Sequence, residues 1–332
     1  MSITPSTTAP WIAAQTQALL AQRGHAWLLA GPSGLGQYEL ASALVCAWLC
    51  EHPTPQGACG ACGSCHAVDV HTHADLCVLM PETVMLALNW PLSEKAQDDI
   101  DSKKRKPSKE IRVEAMRDAV EFAQRTSARG RGKAVLVFPA ERMNVYTANA
   151  LLKTLEEPAG DVKFVLATEA AHQLLPTIRS RCLGHSMIWP KLDRAMAWLL
   201  GQGVSEKQAS VMLRAAGGRP QEALQFASVS ELWPRLPRAV QSGDVSLFKD
   251  WTPAQTVDAL HKLCHDLLAQ HSGASPRFFE AADLPKAGNL QSLTAWAKTL
   301  SNAMRTVEHP FNTGLMQEAL VSQAQFALNS KG

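Results

Sequence analysis

The sequence predicts an α/β protein as far as Pro190, with a parallel sheet covered by helices on both faces, and an all-α region beyond it. Three observations carry this. Apolar runs of strand length alternate with helical patterns up to Pro190. Two of those runs, KAVLVF at 133–138 and VKFVLAT at 162–168, are continuous rather than alternating, as strands buried on both faces are. Past Pro190 no strand pattern recurs, and the apolar residues keep helical spacing.

The chain has 332 residues, 46% of them hydrophobic, which suits two or three domains with a sizeable core. Lys plus Arg number 32 and Asp plus Glu 30, so a net charge of +2 gives no whole-molecule footprint for nucleic acid. No apolar run reaches membrane-spanning length. The start, MSITPSTTAPW, has neither a basic opening nor a long apolar stretch, so no signal peptide and a cytoplasmic location are expected. In a long chain of this kind, clustered cysteines point to metal rather than disulfides.

Residues 11–22 (WIAAQTQALLAQ) place Trp11, Ile12, Ala18 and Leu19 near one helical face. An apolar run at 26–30 then leads into GPSGLGQY at 31–38, and a helical pattern runs from Gln37 to Cys50. Strand, glycine loop and helix form the setting of a phosphate-binding loop. Gly31, Gly34 and Gly36 let backbone N–H groups crowd round a phosphate, and the helix N-terminus adds partial positive charge. A working loop continues with Lys, which neutralises phosphate charge, and Ser or Thr, which ligates Mg²⁺. Here those two positions are Gln37 and Tyr38.

Cys50, Cys59, Cys62 and Cys65 follow with the spacing C-x8-C-x2-C-x2-C. Short C-x2-C spacings let a tight turn present two thiolates to one zinc ion. Gly57, Gly60 and Gly63 are read as the turn residues, because glycine tolerates positive φ. Three of the ligands are Cys59, Cys62 and Cys65. Cys50 competes with His66, His71 and His73 for the fourth place. A site filled by protein ligands is structural rather than catalytic. Cys46, Cys77, Cys182 and Cys264 stand alone and read as buried thiols.

Residues 75–80 read as a short strand. The stretch 84–109 differs in character: 93–109 (SEKAQDDIDSKKRKPSK) is densely charged without apolar periodicity, and predicts a solvated, mobile insertion. Its basic run at 103–106 reads as solvated charge. A helix returns over 112–125, with Val113, Met116, Val120 and Phe122 or Ala123 inward. In a nucleotide hydrolase, a buried strand such as 133–138 ends in acids that hold Mg²⁺ and orient water. This one ends Phe138-Pro139-Ala140, with Glu141 one place late.

Residues 147–157 (TANALLKTLEE) predict a helix stopped by Pro158, on which Glu156 and Glu157 read as solvent-facing charges. A helical segment over 172–181 ends in Ser180-Arg181-Cys182, and a last strand lies near 183–189. By position alone Arg181 is a surface or salt-bridged residue anchoring a turn. Past Pro190, the segments 192–200, 205–216 and 221–227 form a small helical unit. Longer helices follow over 257–271, 290–305 and 312–328, punctuated by Pro234, Pro237, Pro253, Pro276, Pro285 and Pro310.

The glycine loop, the cysteine quartet, ANALLKTLEEP at 148–158, FVLAT at 164–168 and IRSRC at 178–182 together resemble the bacterial clamp-loader family of AAA+ proteins. That machine is a ring-like pentamer that opens the sliding clamp and places it on primed DNA. The resemblance covers roughly 24–189 closely and the helical half in layout. It implies an AAA+ core at 1–189 with a degenerate P-loop and a zinc module at 50–66. A small helical lid at 190–230 and a helical collar at 231–332, which packs the pentamer, complete the implied layout. It implies structural Zn²⁺ on Cys50, Cys59, Cys62 and Cys65. It also implies that Arg181 is an arginine finger reaching the ATP of a neighbouring gamma/tau subunit.

Gln37, Tyr38, Pro139 and Ala140 fit a subunit that neither binds ATP tightly nor hydrolyses it. Gln221, where active subunits carry a lid arginine, fits as well. The implied partners are gamma/tau and delta subunits in a hetero-pentamer of the DNA polymerase holoenzyme. Sliding clamp and primer–template DNA are reached through the complex. Two other readings compete. An active ATPase of the same group is opposed by substitutions that each remove a charge useful in the transition state. A zinc-bearing nucleic-acid binder is weakened by the near-neutral charge and the lack of basic–aromatic interleaving.

Overall fold

A computed structural model describes residues 9–286, 288–307 and 312–330. The start of the chain, where a signal peptide was sought, and Pro310 lie outside these residues. The chain divides into two compact units, Met1–Pro190 and Lys191–Gly332.

In the first unit, α1 (Pro10–Leu20) precedes β1 (Ala26–Ala30), and α2 (Gln37–Leu49) follows the glycine loop. Next come α3 (Gly63–Asp69), β2 (Leu76–Leu79), α4 (Glu82–Ala87), α5 (Glu94–Asp101) and α6 (Val113–Gln124). The unit ends with β3 (Lys133–Val137), α7 (Val145–Glu156), β4 (Val162–Thr168), α8 (Pro176–Arg179) and β5 (Leu183–Ser186). The five strands form one sheet in the order β2-β3-β4-β1-β5, every neighbouring pair parallel.

The continuous apolar runs became the inner strands, as parallel strands covered on both faces require. β3 is buried at every residue and β4 at all but Lys163. Ala26, Leu28, Val135, Val137, Phe164 and Leu166 share a core with Met116 and Ala119 of α6 and Leu151 and Leu155 of α7. On the opposite face Trp27 packs on Trp48 of α2, with ring centroids 4.9 Å apart. The last strand is shorter than the sequence suggests, and three of its four residues are exposed, as befits an edge.

Some inward faces differ from the sequence reading. On α1, Gln15 and Thr16 are buried and Ala18 is exposed. Both polar side chains bond back to carbonyls one turn earlier, Gln15 to Trp11 and Thr16 to Ile12, which removes the desolvation penalty. On α6 the buried residues are Met116, Ala119 and Ala123.

The charged insertion is not a structureless loop. Ser93 caps α5 by accepting from the Ala96 N–H at 3.3 Å, although no residue of that helix is buried. The segment is anchored at Glu82, which is 7% exposed. Arg105 grips its carboxylate with both Nη atoms, at 2.6 and 2.9 Å, and the Ser108 N–H adds a bond at 2.8 Å. Burial pushes the Glu82 carboxyl up, but Arg105, Ser108 and Arg112 outweigh it and hold the group below its ordinary range.

The loop TSARGRG is fastened in the same way. Asp75, 1% exposed, accepts from Ser127 Oγ at 2.9 Å and from the N–H groups of Ala128 and Arg129 at 2.7 and 2.9 Å. Burial pushes its carboxyl up, yet those donors bring it below the ordinary 3.8. Asp75→Ala is expected to cost about 2 kcal/mol, because three hydrogen bonds to a charged group are lost, while the freed donors of the exposed loop can turn to water. A carboxyl whose pKa falls on folding stabilises fully above its unfolded value and loses that contribution as pH drops through the folded one. Denaturant unfolding should therefore show the full gap to wild type above pH about 4 and a narrowing gap below it.

In the second unit, α9 (Leu192–Gly201), α10 (Glu206–Ala215) and α11 (Pro220–Gln225) close over a cluster that includes Ala195, Leu199, Met212, Leu213 and Ala223. The remaining helices are α12 (Leu236–Ser242), α13 (Pro253–His271), α14 (Leu290–Thr306) and α15 (Thr313–Asn329). Their core gathers Trp233, Phe248, Leu263, Phe279, Leu293, Trp296 and Leu320. Pro253 does not interrupt a helix here: it sits in the first turn of α13, behind a Thr252–Gln255 capping box. Fully buried Asp266 accepts from the N–H groups of Arg277, Phe278 and Phe279 at 2.7–2.9 Å, fixing that loop to α13.

Candidate functional site

The four cysteines come from the end of α2, the turns after it and the start of α3. Their Sγ atoms all lie within 4.8 Å of one another. Cys50 and Cys62 are 3.8 Å apart, Cys59 and Cys65 3.9 Å, and Cys62 and Cys65 3.4 Å. A tetrahedron with Zn–S near 2.3 Å puts its sulfurs about 3.8 Å apart, so this donor set fits such an ion. The histidines drop out: His66 is exposed, His71 stacks on Trp90 at 3.7 Å, and His73 Nδ1 accepts from the Asp75 N–H. Gly57 and Gly60 take positive φ, at 138° and 74°, whereas Gly63 does not and simply opens α3.

Electrostatics favour a cation here. The Cys59 N–H points at Cys50 Sγ at 3.3 Å, and the Cys65 N–H at Cys62 Sγ at 3.4 Å. Burial opposes ionisation of Cys62, yet the N–H groups of Cys65 and Glu51 and the adjacent thiols bring it down to about 6. Burial and the neighbouring Cys46 push Cys65 well up. Four sulfurs this close do not all ionise unaided, because like charges repel at short range. A divalent cation removes that repulsion and holds every sulfur as thiolate. Outside the cluster, Cys46 and Cys264 are buried as expected, whereas Cys77 and Cys182 are only partly buried; burial pushes the Cys182 thiol up to about 11 and Cys77 and Cys264 up to about 12.

Glu51 braces the cysteine module internally and ties it to the loop at 126–132. One carboxylate oxygen accepts from the Ser64 N–H at 3.0 Å, from Ser64 Oγ at 3.1 Å and from Arg129 at 3.3 Å.

The glycine loop lies at the carboxyl end of β1, where open α/β sheets bind ligands. Gly34 and Gly36 take positive φ, and Gly36 is the left-handed N-cap of α2. Gln37, 2% exposed, turns back into the loop and donates to the carbonyls of Gly31 at 2.6 Å and Pro32 at 2.8 Å. A Lys at this position would present charge to phosphate; this amide is spent on the loop itself. Tyr38 lies against Phe138 at the end of β3, with ring centroids 5.4 Å apart, and its hydroxyl accepts from Trp90 Nε1 at 2.8 Å. Glu141 is committed elsewhere, accepting from Thr168 Oγ1 at 2.7 Å and from the Glu169 N–H at 3.2 Å. Trp90 was not singled out in the sequence. Its one signal is a lone indole in the short apolar run 84–92 that precedes the charged stretch.

Arg181 follows α8. It donates from Nε to Glu156 Oε1 at 2.6 Å, from Nη2 to the same carboxylate, and from Nη1 to the Thr177 carbonyl at 2.9 Å. Glu156 is therefore an ion-pair partner as well as a solvent-facing charge.

A five-stranded parallel sheet, a glycine loop after β1, a four-cysteine insert and a helical second unit define an AAA+-like protein. The family model described as DNA polymerase III, delta subunit, matches residues 11–187. The chain is 31% identical over 282 residues to DNA polymerase III subunit delta′ of Escherichia coli, covering 80% of this chain and 78% of that one. It is 37% identical over 203 residues to the subunit delta′ of Pseudomonas aeruginosa, covering 60% of this chain and 55% of that one. The match thus spans little more than half the length of the Pseudomonas protein. A gamma subunit-related protein of Thermotoga maritima shares the fold, with TM-score 0.53 at 18% identity, over 96% of this chain and 100% of that one. The chain belongs to the DNA polymerase III delta′ family, in the clamp-loader group of AAA+ proteins.

Proposed function

We propose that this chain is the non-hydrolysing delta′ subunit of a DNA polymerase III clamp loader. In this reading it joins gamma/tau and delta subunits in a hetero-pentamer that loads the sliding clamp onto primer–template DNA. The observation that carries the non-hydrolysing role is Gln37, whose amide bonds the carbonyls of its own loop where an active subunit offers Lys to phosphate. Tyr38 lies against Phe138 at the strand end, and Pro139-Ala140 supplies no acid for Mg²⁺.

The remaining parts take roles by the same reading. Residues 1–189 are the AAA+ core, 190–230 the lid and 231–332 the collar. Cys50, Cys59, Cys62 and Cys65 hold a structural Zn²⁺, which stiffens the turns between α2 and α3 and does no chemistry. Arg181 enters the ATP site of a gamma/tau neighbour. Its guanidinium stays charged and offers a planar pair of donors to phosphate oxygens.

The isolated chain is expected to bind ATP no tighter than about 1 mM. Gln37→Lys alone should not restore binding, because Tyr38 still stands where the Mg²⁺-ligating hydroxyl belongs. Equilibrium dialysis with labelled ATP checks both. Steady-state ATPase well above background, abolished by a substitution within residues 31–38, would overturn the reading.

A further inference from the structure

We propose that Glu156 parks Arg181, holding the guanidinium against its own subunit until a neighbour's phosphate displaces the carboxylate. The inference rests on the trans-acting role given to Arg181 above and adds to it how that role is switched on. Every nitrogen of the guanidinium is engaged within this chain. Nε and Nη2, the edge suited to forked contacts, both face Glu156, and Nη1 faces the Thr177 carbonyl. A phosphate oxygen can take the forked edge only if Glu156 gives it up.

The contact is built to exchange. Glu156 is the last residue of α7, and Arg181 lies two residues past the end of α8, so the pair joins two helix ends rather than bracing a core. The side chains are 32% and 46% exposed for Arg181 and Glu156, and an ion pair so open to water is weak and readily broken. A multiply charged phosphate with bound ATP outcompetes a single carboxylate in that setting. Parking lowers the fraction of subunits whose finger is ready, and apparent affinity falls by that fraction. Releasing the finger by mutation should therefore tighten ATP binding at the shared site without altering the chemical step.

The test uses a reconstituted clamp loader in which the corresponding arginines of the gamma/tau subunits are replaced, so that only the site completed by Arg181 is read. ATP is titrated against DNA- and clamp-stimulated ATPase. Glu156→Gln is expected to lower KM for ATP by about 2–5-fold with kcat unchanged, the scale of an exposed ion pair. Thermal unfolding of the isolated variant should match wild type. An unchanged or raised KM, or a lowered kcat, would overturn the parking role while Arg181→Ala still abolished turnover. If Arg181→Ala itself keeps full activity, the trans-acting role falls, and the parking role with it.

Discussion

Arg181→Ala is expected to cut ATP turnover at the site it completes by about 10³-fold, the lower end of what fingers supplied in trans are worth. Fold, metal content and assembly should be intact, since the side chain is partly exposed and its partners are the surface carboxylate of Glu156, the Thr177 carbonyl and the Ser180 hydroxyl. In the whole complex the loss should look smaller if other interfaces of the proposed complex supply fingers of their own. Arg181→Lys should rescue poorly: an ammonium is a point charge and cannot reproduce the planar two-donor edge. Stimulated ATPase of the reconstituted complex, alongside clamp-loading rate, checks this. Wild-type rates in a normally assembled alanine complex would make Arg181 a structural residue.

Cys62→Ser should lose most of its bound zinc. Structural zinc in small modules is worth on the order of 10–16 kcal/mol of apparent binding energy at neutral pH, much of it local folding. Here the sheet has a core of its own, built on residues such as Val135, Phe164 and Leu166, so metal loss should loosen residues 50–66 rather than unfold the unit. Hydrogen exchange should rise there and stay low in β3 and β4. Ligand thiols must be deprotonated to bind, so acidification should release the ion from wild type as well. Elemental analysis reads the result directly. Unchanged, stoichiometric zinc in Cys62→Ser would refute the four-thiolate site.

Much of the first unit was legible because its chemistry is local. β4 falls on residues 162–168 as read, since a strand buried on both faces must be a continuous apolar run. The cysteine quartet was legible from spacing, but only geometry separates Cys50 from the histidines: His71 and His73 are committed to Trp90 and the Asp75 N–H, respectively. The insertion is solvated as expected, but its helix and anchors are hard to read because they depend on partners far along the chain. Arg105 finds Glu82 23 residues away, and α5 has only Ala96 and Ile100 as a short apolar face among its charges. Trp90 and Tyr38 meet across 52 residues, a contact that neither local pattern announces. Buried Gln15 and Thr16 are not legible from polarity, which marks them as exposed: back-bonding to the helix, and for Gln15 bonds from His185 and the Ile188 N–H, let both face inward.

The most direct measurement is reconstitution of a gamma/tau ATPase and delta with and without this chain, in the presence of clamp and primed DNA. The chain alone should show no nucleotide turnover, yet its addition should raise the stimulated ATPase and clamp loading of the mixture, and Arg181→Ala should remove much of that gain. Intrinsic ATPase in the isolated chain, or a complex whose activity is the same with and without it, would contradict a subunit that has no working site and completes its neighbour's.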